Sequence, residues 1–347
     1  MAEKAKVALK IAANGRKFLG DFKLNGVILT KDYVEKNEET LVKAVKKIGY
    51  LKNEKYIISF AEGHVVTLYD AKDYNPDYRN WRNIPFPYVP NPFKTKVIEG
   101  KDSLYKNLER LMNSDQVKEI INACDADREG SNIFHLIYNQ AKCRKPVKRL
   151  WVESHTEEKL LKALNNMEDE KLPKHDNLRK AGYCRTKSDW LMGALLTAKA
   201  TVELGSGKDI ITVGRVQTAV LAEIVRVEEL IRNFKSKKFY HILGKFRTKD
   251  GKIYEGICDE EDYDDIKKAE DVIKRLKKEG KITDYSIKNE NKYCPPLYDQ
   301  TALAIEMSKT ANISPNETLE ASQSLYEKGY ATYPRTASRY ITQSDAD

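Results

Sequence analysis

Long hydrophobic runs are missing from this sequence of 347 residues, so it contains no segment that could cross a membrane as a helix. Its five cysteines lie far apart, which excludes a Cys-x-x-Cys metal site and a dense disulfide framework. Thiols with this distribution are typical of a reducing cytoplasm. The five histidines show no metal-ligand spacing, and no His-Glu-x-x-His motif is present, so a zinc site of the metalloprotease kind is not predicted.

A nucleotide-binding phosphate loop is missing as well. The stretch LGSGKDI looks like the end of one, but Val202 stands where the Gly-x-x-x-x-Gly-Lys motif requires glycine. We therefore do not expect chemistry that is driven by ATP.

Positive charge is in excess. Lysine and arginine total 61 against 52 aspartates and glutamates, which gives a formal net charge of +9. The excess favours an anionic partner, and nucleic acid is the commonest one, although a merely basic surface explains the same number. A hydrophobic content of 41% and a charged content of 33% are those of a globular protein, and the length allows more than one domain.

The hydrophobic pattern of the first 150 residues predicts an α/β domain. EKAKVALKIAANG has apolar residues at helical spacing before Asn14-Gly15, and KYIISFAEGHVVTLYD has two strand runs on either side of Glu62-Gly63. A buried strand at residues 119–123, an acidic loop and a helix at residues 131–140 follow. This order indicates a parallel sheet.

Beyond this region the pattern changes three times. Residues 156–234 are mainly helical, residues 239–292 favour strands and turns around a charged helix at 264–278, and helices return from Tyr298. A basic run, AKCRKPVKRLWVES, lies before the helical region. Its cations are Lys142, Arg144, Lys145, Lys148 and Arg149. The run could bind phosphates, but it favours a solvated charged face.

Acidic residues are concentrated in the motif CDADREG, directly after the predicted buried strand. Asp125 and Asp127 are two residues apart and face the same way in an extended chain, and Glu129 follows in the loop that opens the helix. Such a loop lies where parallel sheets usually bind ligands. Because oxygen donors without histidine or cysteine suit Mg²⁺, we predict a magnesium site that works on phosphates. The structural alternative is a solvated acidic turn that caps the helix.

A second motif, GYATYPRTAS, lies near the C-terminus. If it is extended, Tyr333 and Arg335 share one face, and Pro334 favours that extended form. Arg335 could then hold, through bidentate contacts, the phosphate that Tyr333 attacks. Tyrosine needs such help because its unperturbed pKa is about 10. The structural alternative is an aromatic strand with an exposed arginine.

Together, an acidic magnesium site, a Tyr-Pro-Arg motif and a basic chain indicate phosphoryl transfer on nucleic acid with a tyrosine nucleophile. With these motifs the sequence resembles the type IA DNA topoisomerases, of the bacterial topoisomerase III kind. The matching segments cover nearly the whole chain in family order: AEK, EGH, CDADREG, RLWVES, KSDWLMGALLT, VGRVQT, CPPLYDQTAL and GYATYPRTASRY.

The resemblance implies a multidomain fold with four modules. Residues 1–152 would form a Toprim domain with a Rossmann-like α/β fold. Residues 153–235 would form a helical module that binds single-stranded DNA, and residues 236–294 a β-rich arch segment. Residues 295–347 would begin the helical module that carries the tyrosine.

The resemblance also implies roles for the acidic residues. Asp125 and Asp127 would hold Mg²⁺, with Glu129 and Glu3 as further candidate ligands. Glu3 would act as general acid or base at the leaving 3′ oxygen, and Lys4 would contact the scissile phosphate. From the residues alone, a Glu-Lys pair at a helix start indicates no more than a cap.

By the same resemblance, Tyr333 would attack a DNA phosphate and form a 5′-phosphotyrosyl link, while Arg335 would stabilise the developing charge. One phosphodiester is exchanged for another of similar energy, so resealing needs no ATP. The positions that match DNA-binding residues are His64, Arg185, Asp189, Thr212, Arg215 and Gln217. Arg215 and Gln217 lead this set, because basic and polar side chains along a groove contact the backbone. The structural alternatives are that GRVQT merely starts a helix and that His64 is a histidine whose hydrogen bonds are satisfied within a hairpin.

Four departures from the family pattern stand out. Met1-Ala2 leaves little room for the apolar strand that usually precedes the Glu-Lys pair, Ser131 stands where a second glutamate is common, and Ala337 stands where many relatives have aspartate. The sequence also ends at Asp347, fourteen residues past the tyrosine, whereas relatives continue through further modules that include an assisting histidine. We therefore expect an incomplete ring, and weak or absent DNA relaxation by this chain alone.

The function expected from all of these features is a Mg²⁺-dependent, ATP-independent topoisomerase that cleaves one DNA strand, passes a strand and reseals, in relaxation or decatenation. Its partner would be DNA with single-stranded regions, in the bacterial cytoplasm at the nucleoid and away from membranes. A helicase partner is not derivable from the sequence. One alternative is a truncated, catalytically impaired relative that binds single-stranded DNA. Another is a Toprim nuclease or primase, but those enzymes need no tyrosine nucleophile.

Overall fold

A computed structural model describes residues 3–152, 157–206, 209–258, 262–328, 330–334 and 338–341, with the backbone alone at Glu3 and Glu327. The chain divides into two compact units. The first unit combines residues 1–215 with residues 296–347, and the second unit is residues 216–295.

Short strands alternate with helices in the first 150 residues. The helices are α1 (Glu3–Asn14), α2 (Arg16–Leu19), α3 (Lys31–Lys36), α4 (Glu38–Ile48), α5 (Ala71–Tyr74), α6 (Asp102–Asn113) and α7 (Arg128–Gln140). The strands are β1 (Lys23–Leu24), β2 (Val27–Ile28), β3 (Tyr50–Lys52), β4 (Ile57–Ser59), β5 (Val66–Leu68), β6 (Thr95–Val97), β7 (Ile120–Asn122) and β8 (Val147–Arg149). The predicted α/β character of this region is confirmed.

The strands β7 and β8 position the acidic motif. They run parallel, with Asn122 opposite Arg149, and α7 connects them in the order expected of a βαβ unit. The strand β9 (Glu168–Asp169) pairs with β8 in the antiparallel direction. The remaining strands of this region form two-stranded antiparallel pairs, β1 with β2, β3 with β4 and β5 with β6.

The two strands predicted around Glu62-Gly63 are present as β4 and β5, but they do not pair with each other. Residues 60–65 separate them, which is longer than the tight turns that pair consecutive strands. The loop therefore connects two different sheets, and His64 lies in it.

The first helix, predicted before Asn14-Gly15, is confirmed as α1. Its buried face includes Ala5 and Leu9, which pack in one core with Val45 of α4 and Leu160 of α8 (Glu157–Asn165). Complete burial of a leucine side chain stabilises a fold by about 1.5–3 kcal/mol. This core fixes the N-terminal turn of α1 against the rest of the first unit.

Helices continue the first unit beyond β9. They are α9 (Pro173–Asp189), a π-helix (Trp190–Leu195) and α10 (Leu196–Leu204), in one unbroken run. The indole Nε1 of Trp190 donates to the carbonyl oxygen of Tyr69 at 2.8 Å. The hydroxyls of Thr197 and Thr201 accept from the backbone N–H groups of Val213 and Ile211 at 2.9 and 3.0 Å. The extended segment before Arg215 is thereby tied to α10.

The second unit contains α11 (Gln217–Arg232), β10 (Leu243–Arg247), β11 (Ile253–Ile257) and α12 (Ile266–Arg275). β10 and β11 form an antiparallel hairpin. The charged helix expected at 264–278 is confirmed as the shorter α12, whereas the strand pattern expected to residue 292 ends earlier, since residues 276–299 form neither helix nor strand.

The first unit closes with α13 (Gln300–Ala311) and α14 (Pro315–Glu327). Asp299 caps α13, and Ser314 caps α14 in a capping box with Glu317. In the parts of the chain given above, no helix has both the length and the apolar character needed to cross a bilayer.

Candidate active site

The acidic motif forms the loop between β7 and α7. Asp127 has an extended backbone, and its side chain caps α7 by accepting from the backbone N–H of Gly130 at 2.6 Å. Such a cap stabilises a helix by about 1 kcal/mol. The helix predicted from residue 131 therefore begins three residues earlier, at Arg128, and places Glu129 in its first turn.

Gly130 makes this loop compact. A Cβ atom there would lie 2.4 Å from the carbonyl oxygen of Asp125 and 2.8 Å from its backbone nitrogen. Only glycine allows the helix start to pack so closely on the backbone of the loop. The close packing sets the path of the chain between the two aspartates.

Lys4 pairs with Asp125 across the sequence. Its Nζ lies 2.9 Å from Oδ2 and 3.1 Å from Oδ1, and both side chains are about one-third exposed. The first turn of α1 thus supplies a cation to the acidic loop. Glu3 begins the same helix, but its side chain lies outside the described residues.

Glu129 has a different partner. The Nε2 atom of His64 lies 2.6 Å from its Oε1, and both side chains are partly exposed. The structure therefore brings His64, predicted from the sequence only as a DNA-binding position, into the acidic site.

The tyrosine motif reaches the same loop. The hydroxyl of Tyr333 donates to Oδ2 of Asp127 at 2.9 Å, although 206 positions separate the two residues. The ring of Tyr333 also meets the ring of Tyr326 edge-on, with centroids 5.3 Å apart, and Tyr326 is 2% exposed on α14. The first helix, through Lys4, and the tyrosine motif, through Tyr333, thus both contact the acidic loop. Arg335 lies outside the described residues.

The three carboxylates of the motif suit a hard divalent cation by their chemistry, because they offer only oxygen donors. Each of them contacts protein groups, Asp125 with Lys4, Asp127 with Tyr333 and Gly130, and Glu129 with His64. Every carboxylate oxygen has a second lone pair, so these contacts leave acceptor capacity. Within the residues that the structure describes, no three His, Cys, Asp or Glu side chains already converge as a metal site.

A polar layer lies beneath the loop, formed by Asn122, His135, Arg149 and Glu170. Asn122 and Arg149 are 0% and 1% exposed, and His135 Nε2 lies 2.9 Å from Oε1 of Glu170. Burial favours a neutral Glu170, but hydrogen bonds from His135 and Asn122 outweigh it and hold the pKa of Glu170 below its ordinary value.

The burial of Arg149 corrects the expectation of a solvated basic run at this one position, while Lys142, Arg144 and Lys148 are exposed as expected. Its guanidinium donates to the carbonyl oxygens of Asn122 and Asp125 at 3.0 and 2.7 Å and lies 5.1 Å from the ring centroid of Trp151. Burial lowers the pKa of Arg149, while the nearby carboxylates oppose that shift. Its acceptors are largely backbone carbonyl oxygens, which every residue has, so the burial of Arg149 could not be predicted from the amino-acid sequence.

Three of the predicted DNA-binding residues meet in the helical part of the first unit. Nε of Arg215 lies 2.8 Å from Oδ1 of Asp189, and Nε of Arg185 lies 3.5 Å from Oδ2. The hydrogen bond from Arg215 is the main cause of the lowered pKa of Asp189, and it raises the pKa of Arg215 in turn. The result is an exposed cluster with two cations and one anion.

Thr212 and Gln217 lie on either side of Arg215 in the sequence. Thr212 is exposed in the extended segment that α10 holds, and Gln217 is the first residue of α11 in the second unit. The structure thus places Thr212 in the same unit as Arg215, whereas Gln217 belongs to the other one.

Comparison of the sequence with models of known protein families identifies the family of this chain. The Toprim domain model matches residues 2–154, and the DNA topoisomerase model matches residues 173–347. The chain belongs to the DNA topoisomerase family. Within that family it is of the type IA, topoisomerase III-like kind, which the sequence motifs had predicted.

Curated relatives support this assignment. DNA topoisomerase 3 of Staphylococcus epidermidis is 33% identical over 304 residues, which are 87% of this chain and 42% of the relative. DNA topoisomerase 3 of Bacillus cereus is 33% identical over 319 residues, which are 91% of this chain and 43% of the relative. The chain thus spans about two-fifths of the length of the relatives it matches.

A solved structure supports the fold. Full-length topoisomerase I from Thermotoga maritima aligns with a TM-score of 0.56 and 22% identity, over 82% of this chain and 46% of that one. The multidomain fold that begins with a Toprim domain is therefore confirmed for this chain.

Proposed function

We propose that this chain carries the DNA-cleaving centre of a Mg²⁺-dependent, ATP-independent type IA topoisomerase. The observation that carries the proposal is the hydrogen bond of 2.9 Å between the hydroxyl of Tyr333 and Asp127. This bond places a hydroxyl that can form a phosphate ester next to the loop whose carboxylates can hold a cation.

In the proposed reaction, Oη of Tyr333 attacks the phosphorus of one phosphodiester in single-stranded DNA. The new bond joins Oη to phosphorus, the bond from phosphorus to the 3′ oxygen breaks, and the DNA 5′ end remains linked to the tyrosine. The phenol proton passes to Oδ2 of Asp127, and Glu3 gives a proton to the leaving 3′ oxygen. The reverse exchange reseals the strand without ATP, since both bonds are phosphodiesters.

Positive groups would stabilise the charge that develops on the phosphate. Lys4 would exchange its contact with Asp125 for one with the scissile phosphate, and Arg335 would add a bidentate contact. Asp125 and Asp127 would hold Mg²⁺, with Glu129 and Glu3 as further ligands. When bound, the ion would supply further positive charge next to the reacting phosphate.

DNA would lie along the exposed cations of the helical module. Arg185 and Arg215 offer contacts to the DNA backbone, and Asp189 holds both in place until DNA arrives. Thr212, Gln217 and His64 would add polar contacts. Strand passage in relaxation or decatenation, in a bacterial cytoplasm at the nucleoid, would be the task of the whole enzyme.

A covalent-adduct experiment tests the proposal. The chain is incubated with labelled single-stranded DNA and Mg²⁺, denatured and separated on a gel. A slow-migrating adduct is expected, and Tyr333→Phe should abolish it while DNA binding is retained. Tyr330→Phe is the matched control, since Tyr330 is 80% exposed in the same segment and its loss should leave the adduct intact.

Two outcomes would contradict the proposal. An adduct that survives Tyr333→Phe would place the nucleophile elsewhere. Binding of DNA without any adduct would favour the alternative, a relative that holds single-stranded DNA without cleaving it.

A further inference from the structure

The polar layer beneath the acidic loop connects four separate elements. Asn122 ends β7, Arg149 ends β8, Glu170 follows β9, and His135 lies on α7. Glu170 Oε1 accepts from Nδ2 of Asn122 at 3.1 Å and lies 2.9 Å from His135. Burial of four polar side chains, three at strand ends and one on a helix, costs free energy unless they are paired, so their arrangement needs a reason beyond packing.

Arg149 is the member of this layer that reaches the loop. Its NH1 group donates to both the carbonyl oxygen and the side-chain oxygen of Asn122, at 3.0 and 2.8 Å. Its NH2 group donates to the carbonyl oxygen of Asp125 at 2.7 Å. The planar fork therefore spans from the last residue of β7 to the first carboxylate residue of the loop.

The backbone of the loop is thus held from two sides. Arg149 contacts the carbonyl oxygen of Asp125, and Gly130 packs against the same peptide from the start of α7. Asp127 is fixed separately as the cap of α7. The direction in which both aspartate side chains leave the backbone follows from these contacts.

We infer that Arg149 is a positioning residue of the active site, which holds the peptide of Asp125 so that the carboxylates of Asp125 and Asp127 face the cation and the DNA. The inference rests on the proposed function. Arg149 itself touches neither DNA nor cation, since it is 1% exposed beneath the loop. Burial lowers the pKa of Arg149, and Glu170 in the same layer is among the groups that oppose this shift.

The role requires a guanidinium and not merely a positive charge. A lysine at this position would keep the charge, but its single ammonium group cannot contact Asn122 and Asp125 in the fixed geometry of a planar fork. Arg149→Lys should therefore loosen the loop without removing the charge from the layer.

Hydrogen exchange, read by mass spectrometry on the full chain, tests this directly. In Arg149→Lys, amides of residues 123–130 should exchange about tenfold faster or more, while the α6 amides keep their rates. Arg110→Lys is the matched control, because Arg110 also contacts an asparagine, Asn107, and also lies over an aromatic ring, that of Tyr50, but on an exposed surface.

A second measurement addresses the chemistry. Mn²⁺ affinity, measured by isothermal titration, should fall by about 10- to 100-fold in Arg149→Lys, as for other groups that orient metal ligands, while affinity for single-stranded DNA without metal stays unchanged. In Arg149→Ala, added methylguanidinium should restore slow exchange in residues 123–130. A rescue of that kind would not follow from general loss of core packing.

Three results would overturn the inference. They are an unchanged exchange rate in residues 123–130, a uniform rise across the whole chain, and a failure of methylguanidinium to restore the loop. None of these readouts needs DNA cleavage. A chain that forms no tyrosyl adduct would therefore refute the proposed function and still decide the role of Arg149.

Discussion

The acidic loop and the tyrosine segment meet in one site, but they are held in different ways. The loop is fixed by contacts to backbone groups, because Arg149 donates to the carbonyl oxygen of Asp125 and the side chain of Asp127 accepts from the backbone N–H of Gly130. Tyr333 is held through its side chain, by a hydrogen bond from its hydroxyl and an edge contact with Tyr326. The fold therefore builds one geometry into the loop, whereas the tyrosine depends on contacts that a change of protonation or partner can remove.

Asp127→Asn changes the residue at which the two regions meet, and we expect the largest effect on adduct formation from this substitution. Asparagine caps helices as well as aspartate does, so the free energy of unfolding should change by less than about 0.5 kcal/mol. The lost negative charge removes the acceptor for the phenol proton and should slow adduct formation by about 100-fold or more. The measurement is the initial rate of adduct formation, with urea unfolding for stability. A rate within about threefold of the parent would exclude Asp127 as the proton acceptor.

Gly130→Ala tests the acidic loop, whose close packing on the start of α7 depends on glycine. A methyl group 2.4 Å from a carbonyl oxygen forces the loop or the helix start to move, and the free energy of unfolding should fall by about 2–3 kcal/mol. Urea denaturation measures it. Gly193→Ala is the control, because a Cβ atom there would lie 4.0 Å from the carbonyl oxygen of Val213, an ordinary van der Waals distance, and the free energy of unfolding should stay level or rise slightly. Equal behaviour of the two variants would mean that the loop adapts freely.

Lys4→Ala would sharpen the comparison by removing a side-chain contact from the backbone-fixed loop. Lys4 neutralises Asp125, so its loss should raise the Mn²⁺ affinity of the site by about two- to fivefold, which corresponds to the small free energy of a partly exposed ion pair. Titration calorimetry measures the change. Lys6 lies on the same helix as Lys4 but pairs with Glu38 of α4, so Lys6→Ala should leave the affinity unchanged. A weaker Mn²⁺ affinity in Lys4→Ala would show that Lys4 supports the cation rather than competing with it.

Arg215→Ala lies outside both regions, and we expect the smallest effect from it. One lost phosphate contact should weaken binding of single-stranded DNA by about two- to threefold and lower the salt dependence by about 0.7 in slope. Stability should not change, because the pair with Asp189 is exposed. Fluorescence anisotropy at several salt concentrations measures both. Arg226→Ala, which removes an exposed pair with Glu223, is the control, and equal losses in both variants would indicate non-specific charge.

The separate positions of the two motifs could be predicted from the sequence, because each has a local pattern. A strand, two aspartates at a spacing of two and a helix place Asp125 and Asp127 at the end of β7. The contact of Asp127 with Tyr333 could not be derived in this way, since local periodicity carries no information on contacts across 206 positions. Family resemblance supplied that expectation.

Other features of the site were hidden for physical reasons. The start of α7 was predicted too late, because Gly130 is a poor helix former, whereas a cap by the acidic turn was among the alternatives and is present at Asp127. The burial of Arg149 was missed, because a cation among other cations is usually solvated and its main acceptors are peptide carbonyls, which every sequence has. The pair of His64 with Glu129 was missed because it joins the loop after β4 to the first turn of α7, and no local pattern links the two.

The π-helix at Trp190–Leu195 makes the length of this segment matter more than its side chains. Loss of one residue would let α9 run into α10 as a regular helix, and α10 would turn by about 100° about the axis relative to α9. Thr197 and Thr201 would turn with α10, and the segment before Arg215, which is hydrogen-bonded to them, would be displaced. Descendants of this chain can therefore exchange residues in these turns more readily than they can gain or lose a single one.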